Sequence, residues 1–104
     1  MSELKTKIYQ KLKEVPFGKV VTYKILANSI GSSAYRAVGR LMRVNNDPIN
    51  VPCYKVIRSS GDVGGYCGKI SGKKIKEKIK KLKMEGIKIK NNKVVNLDGY
   101  LYRF

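Results

Sequence analysis

The sequence contains no histidine. That absence removes the commonest general base and the commonest metal ligand. A Ser-His-Asp triad, a Cys-His dyad and a histidine-bearing zinc site cannot be built from these residues. Cysteine is scarce: Cys53 and Cys67 are the two present, too few for a four-thiolate metal site and not spaced as CxxC. A secreted disulfide framework at this size ordinarily uses more bridges. No apolar run approaches the roughly 18 residues of a membrane span, and no signal-peptide pattern opens the chain. These absences predict a cytoplasmic, reducing environment, with no metal, no cofactor and no membrane partner. Acidic residues are also few, 7 against 23 lysines and arginines.

What is present is positive charge. A net +16 on 104 residues points to a polyanionic partner, nucleic acid first. A lysine-rich surface serving solubility or heat resistance gives the same balance. With 42% hydrophobic residues the chain is globular, and its length fits one domain, 1–104, near the small end of self-sufficient folds. A monomer is expected, because no helix shows a second exposed apolar stripe.

Along the chain, Leu4, Ile8 and Leu12 recur every four positions and predict a helix over 3–14, ended by Pro16 and Gly18. Lys19-Val20-Val21 is too short to assign. Thr22 is an N-cap candidate for a second helix with Ile25, Leu26 and Ile30 inward and Gly31 at its end. Ser32 or Ser33 caps a third, roughly 34–44. Its apolar stripe is Ala34, Val38, Leu41 and Met42; Tyr35, Arg36, Gly39, Arg40 and Arg43 share the other face. Two short helices joined by a tight turn behind a leading helix suggest a helix-turn-helix, the third helix reading the nucleic acid; a three-helix core with a solvated basic face fits the same pattern. Gly39 costs that helix about 1 kcal/mol, and either a close approach of DNA backbone or tight helix packing would account for it. Residues 69–90 hold ten lysines and two glutamates. Ile75, Ile79 and Leu82 keep helical spacing there, predicting a basic amphipathic helix ending near Gly86. Ile87-Lys88-Ile89, Asn91-Asn92 and Val94-Val95 read as strand, turn and strand. The expected fold is mainly α with a small β component: a winged-helix-like three-helix domain, a C-terminal basic helix and a short hairpin.

Cys53 is the residue most suggestive of chemistry. Pro52 fixes the backbone before it, and Tyr54 and Lys55 follow. A nearby cation raises a thiol's thiolate fraction, and a thiolate takes alkyl groups from carbon. A buried cysteine behaving as a small hydrophobe is the other reading.

The segments VPFGKVVTYKILA and YRAVGRLMRVNNDPINVPCYKVIRSSGDVGGY resemble the C-terminal domain of O6-alkylguanine-DNA alkyltransferases. The likeness runs from about Glu3 to about Gly86, without a gap from Tyr35 to Tyr66. Three ordered blocks carry it, PFGxVxTY, RAVGxxMRxN and SSGxVGxY, around the Pro52-Cys53-Tyr54-Lys55 tetrapeptide. The resemblance implies a single-turnover DNA repair protein. It would bind duplex DNA containing O6-alkylguanine, flip the base out of the stack, and move the alkyl group irreversibly to Cys53. It implies that Arg36 fills the space left by the flipped nucleotide, with phosphate binding as the plainer role, and that Tyr23 crowds the 3′ phosphate. Gly39 and Arg43 complete the expected DNA-binding set. Asn45 would hold the turn before the active-site loop, and Pro52, Val63, Gly64, Gly65 and Tyr66 would line the pocket, Tyr66 donating a proton to the leaving purine. Glu85 matches the glutamate that anchors the family's proton relay, given about five extra residues in the 69–78 stretch, which bring Lys78 onto a pocket lysine. In a prokaryote such a protein would be nucleoid-associated.

The sequence departs from the family pattern at one telling place. The relay histidine is Tyr54 here, and a phenol with an unperturbed pKa near 10 is a poor base for a thiol at about 8.5. Either Tyr54 passes a proton along a chain of hydrogen bonds through water to Glu85 while Lys55 stabilises thiolate, or transfer is impaired and the domain only binds damage. Cys67 stands where the family has a small hydroxyl residue, as a plain substitution or an oxidation-sensitive mate of Cys53. The N-terminal domain common in the family has no counterpart in these residues. Three functions therefore compete: an alkyltransferase, a damage sensor without efficient transfer, and a winged-helix DNA-binding module without chemistry.

Overall fold

The first helix, α1 (Glu3–Lys13), carries Glu3 in its first turn and Lys11 and Lys13 in its last, charges that complement the helix dipole. It buries Ile8 and Leu12 completely. Val15 and Pro16 break it, and Gly18 turns the chain with a φ of +83°. Two residues of strand follow, β1 (Val21–Thr22), and lead directly into α2 (Tyr23–Ser29). Thr22 caps α2 as expected, its hydroxyl accepting the Ile25 N–H at 3.1 Å. Gly31, at +71°, ends the helix, and α3 (Tyr35–Arg43) begins four residues later.

These details come from a computed structural model that describes residues 3–45, 47, 49–65 and 72–104. The buried faces of α1, α2 and α3 pack together. Val38 and Met42 point α3 into the core, but Ala34 is exposed and stands outside the helix as its N-cap. The expected serine cap is displaced by one step: Ser32 Oγ accepts the Ala34 N–H, and Ala34 makes no side-chain cap.

After a one-turn 3-10 helix at Cys53–Lys55, β2 (Val56–Ile57) pairs in parallel with β1, Val21 opposite Val56 and Thr22 opposite Ile57. Parallel pairing needs a crossover of a dozen residues or more, and α2 and α3 supply it. The C-terminal segment joins on the far side of Val20, which donates to Tyr100 O and accepts from the Tyr102 N–H, both at 2.8 Å.

The basic helix is α4 (Lys73–Met84), closed by Gly86 at +83°. The start expected at 69 lies outside the described residues. Its buried face is Ile75, Lys78 and Leu82, while Ile79 is half-buried, so a lysine holds the position the apolar spacing assigned to isoleucine. The closing hairpin is β3 (Ile89–Lys90) and β4 (Lys93–Val94). Asn91 and Asn92 both take positive φ, which a tight two-residue turn requires. The hairpin supports the segment at 61–63: Val63 N–H donates to Asn92 O and Val94 N–H to Gly61 O, each at 2.9 Å. Apolar side chains from all four helices and from β1, β2 and β4 form one buried cluster.

Candidate functional site

Cys53 lies at the start of the 3-10 turn, 4% exposed, inside the core cluster. Its N–H donates to Val51 O at 2.7 Å, the tight backbone that Pro52 enforces. Asn45 locks this approach from the end of α3: its Nδ2 donates to the same Val51 O at 2.8 Å, and its Oδ1 accepts the Asp47 N–H at 3.0 Å.

The two residues after Cys53 converge on Glu85. The Tyr54 hydroxyl donates to Glu85 Oε2. Lys55 Nζ is 2.9 Å from Glu85 Oε1, with both side chains about 95% buried. The Gly18 N–H donates to Oε1 as well, at 2.9 Å. Lys55 Nζ also donates to the carbonyls of Pro16, at 2.8 Å, and Val15, at 3.3 Å. Its ammonium is thereby engaged by the carboxylate and the α1–β1 connection, and Tyr54 meets Glu85 directly rather than through water. Lys81 stands over the Tyr54 ring, 5.6 Å from its centroid.

The candidate pocket wall is tied down at several points. Val63 is buried. The Gly64 N–H donates to Asp62 Oδ1 at 2.9 Å, and Gly65 O accepts from Lys78 Nζ at 2.9 Å. Lys78 is fully buried and donates also to Val56 O at 2.7 Å, so one ammonium joins α4, β2 and this loop. Gly64 has a φ of +71°, and a β-carbon there would sit 3.5 Å from Arg58 Cγ and 3.6 Å from the Tyr23 hydroxyl. The positive φ is what favours glycine there, since a β-carbon at those distances would make ordinary contact. Tyr66 and Cys67 lie outside the described residues.

Tyr23 opens α2. Burial pushes its phenol above the ordinary value; Arg58 and Arg43 pull the other way, and negative charge on Cys53 adds to the rise. Tyr23 thus stays a neutral hydroxyl, a donor, over the physiological range. Arg36, Arg40 and Arg43 are all exposed on one side of α3. Gly39 shares that helix, and a β-carbon on it would meet nothing within 4 Å. Packing inside the molecule therefore does not explain the glycine.

The family model described as 6-O-methylguanine DNA methyltransferase, DNA binding domain, matches residues 3–87. The chain belongs to this family. It is 42% identical to a bifunctional methyltransferase/endonuclease of Picrophilus torridus over 103 residues, 98% of this chain and 32% of that protein. The chain spans about a third of the length of the curated relatives it matches first. Among solved structures, S. pombe Atl1 in complex with damaged DNA containing O6-carboxymethylguanine superposes with a TM-score of 0.81. The identity is 29%, over 99% of this chain and 97% of that one. The O6-methylguanine-DNA methyltransferase of Pyrococcus kodakaraensis superposes with a TM-score of 0.70 at 36% identity, covering 84% of this chain and 48% of the other.

For this alkyltransferase-family chain, sequence reasoning missed two side chains near the candidate site. Tyr9, from α1, donates its hydroxyl to Leu41 O at 2.7 Å; burial raises its pKa, and so does the charge of nearby Cys53. Arg58 stands against Gly64 and Tyr23. Neither falls in a spacing pattern readable along the chain, because parallel strand pairing and helix packing create both neighbourhoods.

Proposed function

We propose that residues 1–104 act as one domain that binds duplex DNA, draws an O6-alkylguanine out of the stack, and accepts its alkyl group on Cys53. The observation that carries this reading is the cysteine with its neighbours: a buried Cys53 in the family's motif, flanked by two side chains that both engage Glu85. In the transfer the Cys53 sulfur forms a bond to the alkyl carbon, and the carbon–O6 bond breaks. The purine leaves as an anion that takes a proton, and Tyr66 is the donor in this reading. Cys53 ends as a thioether, so each molecule acts once.

Tyr54 need not become a strong base. Its oxygen can accept the thiol proton while its own proton passes to Glu85. The phenol is neutral before and after, which avoids the mismatch between a phenol near 10 and a thiol near 8.5. Lys55 balances the buried Glu85 carboxylate until that carboxylate takes the proton, and the negative charge of the group then resides on the Cys53 thiolate.

The exposed Arg36, Arg40 and Arg43 on α3, with the open space at Gly39, support α3 as the DNA-facing half of a helix-turn-helix. Arg36 would occupy the space vacated by the base, Tyr23 would crowd the 3′ phosphate, and Asn45, Pro52, Val63, Gly64 and Gly65 would shape the pocket. Mixing the protein with an oligonucleotide bearing O6-methylguanine tests the reading: intact mass should rise by one methyl group, mapped to Cys53. An unchanged mass with retained lesion binding overturns transfer.

That last outcome defines the second reading, a sensor that binds and flips the lesion without transfer. Two observations favour it: tyrosine in the place of the relay histidine, and the match to S. pombe Atl1 over nearly the whole of both chains. Full biological effect from a Cys53→Ala protein would support it.

A further inference from the structure

The parallel register sets Thr22 opposite Ile57. The next residue of each strand leaves the pair at the same end, so Tyr23 and Arg58 emerge side by side. Both close on Gly64: a β-carbon there would lie 3.5 Å from Arg58 Cγ, 3.7 Å from Arg58 Nε and 3.6 Å from the Tyr23 hydroxyl. Arg58 is exposed. A tight turn fixes its backbone, with Arg58 N–H donating to Asp62 O and Gly61 N–H to Arg58 O, each at 2.9 Å. Among the described residues no carboxylate pairs with it. A cation, a hydroxyl and a bare glycine thus meet at the edge of the candidate pocket.

We propose that Arg58 joins Tyr23, for which the family resemblance already implies a phosphate contact, in a clamp at the pocket mouth that holds a phosphodiester of the nucleotide entering it. The guanidinium fork matches two phosphate oxygens, and the neutral phenol adds a third donor. The clamp sits at the strand ends against the pocket loop, where a nucleotide rotated out of the stack would enter. This inference rests on the lesion-binding reading above and extends it to a residue outside the family motif blocks.

The test compares wild type, Arg58→Met and Arg58→Lys on duplexes with and without one O6-methylguanine. Methionine keeps an unbranched stem against Gly64 and removes the charge. Arg58→Met should weaken lesion binding about tenfold, as expected for a lost charge-assisted hydrogen bond. It should also reduce the slope of log affinity against log salt by about 0.9, while leaving the unmodified duplex within about twofold. Arg58→Lys should restore the slope but only part of the affinity. A neutral methylphosphonate at the phosphate flanking the lesion supplies the decisive cycle: it should weaken wild type about tenfold and Arg58→Met hardly further. Additive losses would mean Arg58 acts by shape or long-range charge, and would overturn the clamp. Equal lesion affinity in wild type and Arg58→Met overturns the clamp alone. A wild type that does not distinguish damaged from undamaged duplex overturns the lesion-binding reading with it.

Discussion

Lys55 and Glu85 form an ion pair at 2.9 Å with both side chains about 95% buried. They are thirty positions apart and join the Cys53 turn to the end of α4. Removing one partner leaves the other charge buried without its counterion, which costs about 3–5 kcal/mol in comparable pairs. Lys55→Met and Glu85→Gln should each lower unfolding free energy on that scale in urea titrations. The double variant Lys55→Met/Glu85→Gln should recover a substantial part, because no charge is then stranded. A double variant as unstable as the sum of the singles would contradict this account.

Tyr54 offers a sharper test of chemistry. Tyr54→Phe keeps the ring beneath Lys81 and deletes the hydroxyl that donates to Glu85. Single-turnover transfer from an O6-methylguanine duplex should slow about a hundredfold, in the range of a lost proton relay. Tyr54→His, which installs the family's usual group, should transfer at least as fast as wild type. Equal rates for Tyr54→Phe and wild type would leave Cys53 reacting without help.

Gly39 separates stability from binding. A β-carbon there meets nothing within 4 Å, and alanine is favoured over glycine inside a helix by about 1 kcal/mol. Gly39→Ala should therefore raise the urea midpoint while weakening duplex binding. A variant that is more stable and binds DNA normally would remove Gly39 from the interface.

Tyr23 has a folded pKa raised by burial, against about 10 unfolded. Its contribution to stability is fully present below pH 10 and is lost as pH rises through the folded value, since the unfolded chain releases the proton more easily. Stability of wild type relative to Tyr23→Phe should fall over that alkaline window and stay constant between neutrality and pH 9. A difference that is flat through the alkaline range would contradict the burial of the phenol.

Much of the helical scaffold was legible because its signals are local. Ile8 and Leu12 on α1, and Val38 and Met42 on α3, are spaced four apart and are buried. Thr22 caps α2, and Asn91-Asn92 turns the hairpin. The parallel pair β1 and β2 was not legible, since alternation needs more residues than its strands contain. The resemblance reached Lys78 only through an assumed insertion among ten lysines; its bonds to the carbonyls of Val56 and Gly65 set it there.

By itself the sequence determined the helices, the closing hairpin, the basic surface and the family, through the Cys53 motif and its ordered blocks, because each is written in residues close along the chain. The tertiary structure alone decided who faces whom. It brought Lys55 onto the Glu85 that the resemblance had already linked to Tyr54, and set Tyr23 beside Arg58 and Lys78 beneath the pocket loop. Those pairings span 22 residues or more of chain or arise from parallel strands, apart from the Lys78–Gly65 bond at 13. Such contacts depend on packing geometry and on the demand that every buried charge find a partner, and no linear spacing encodes them.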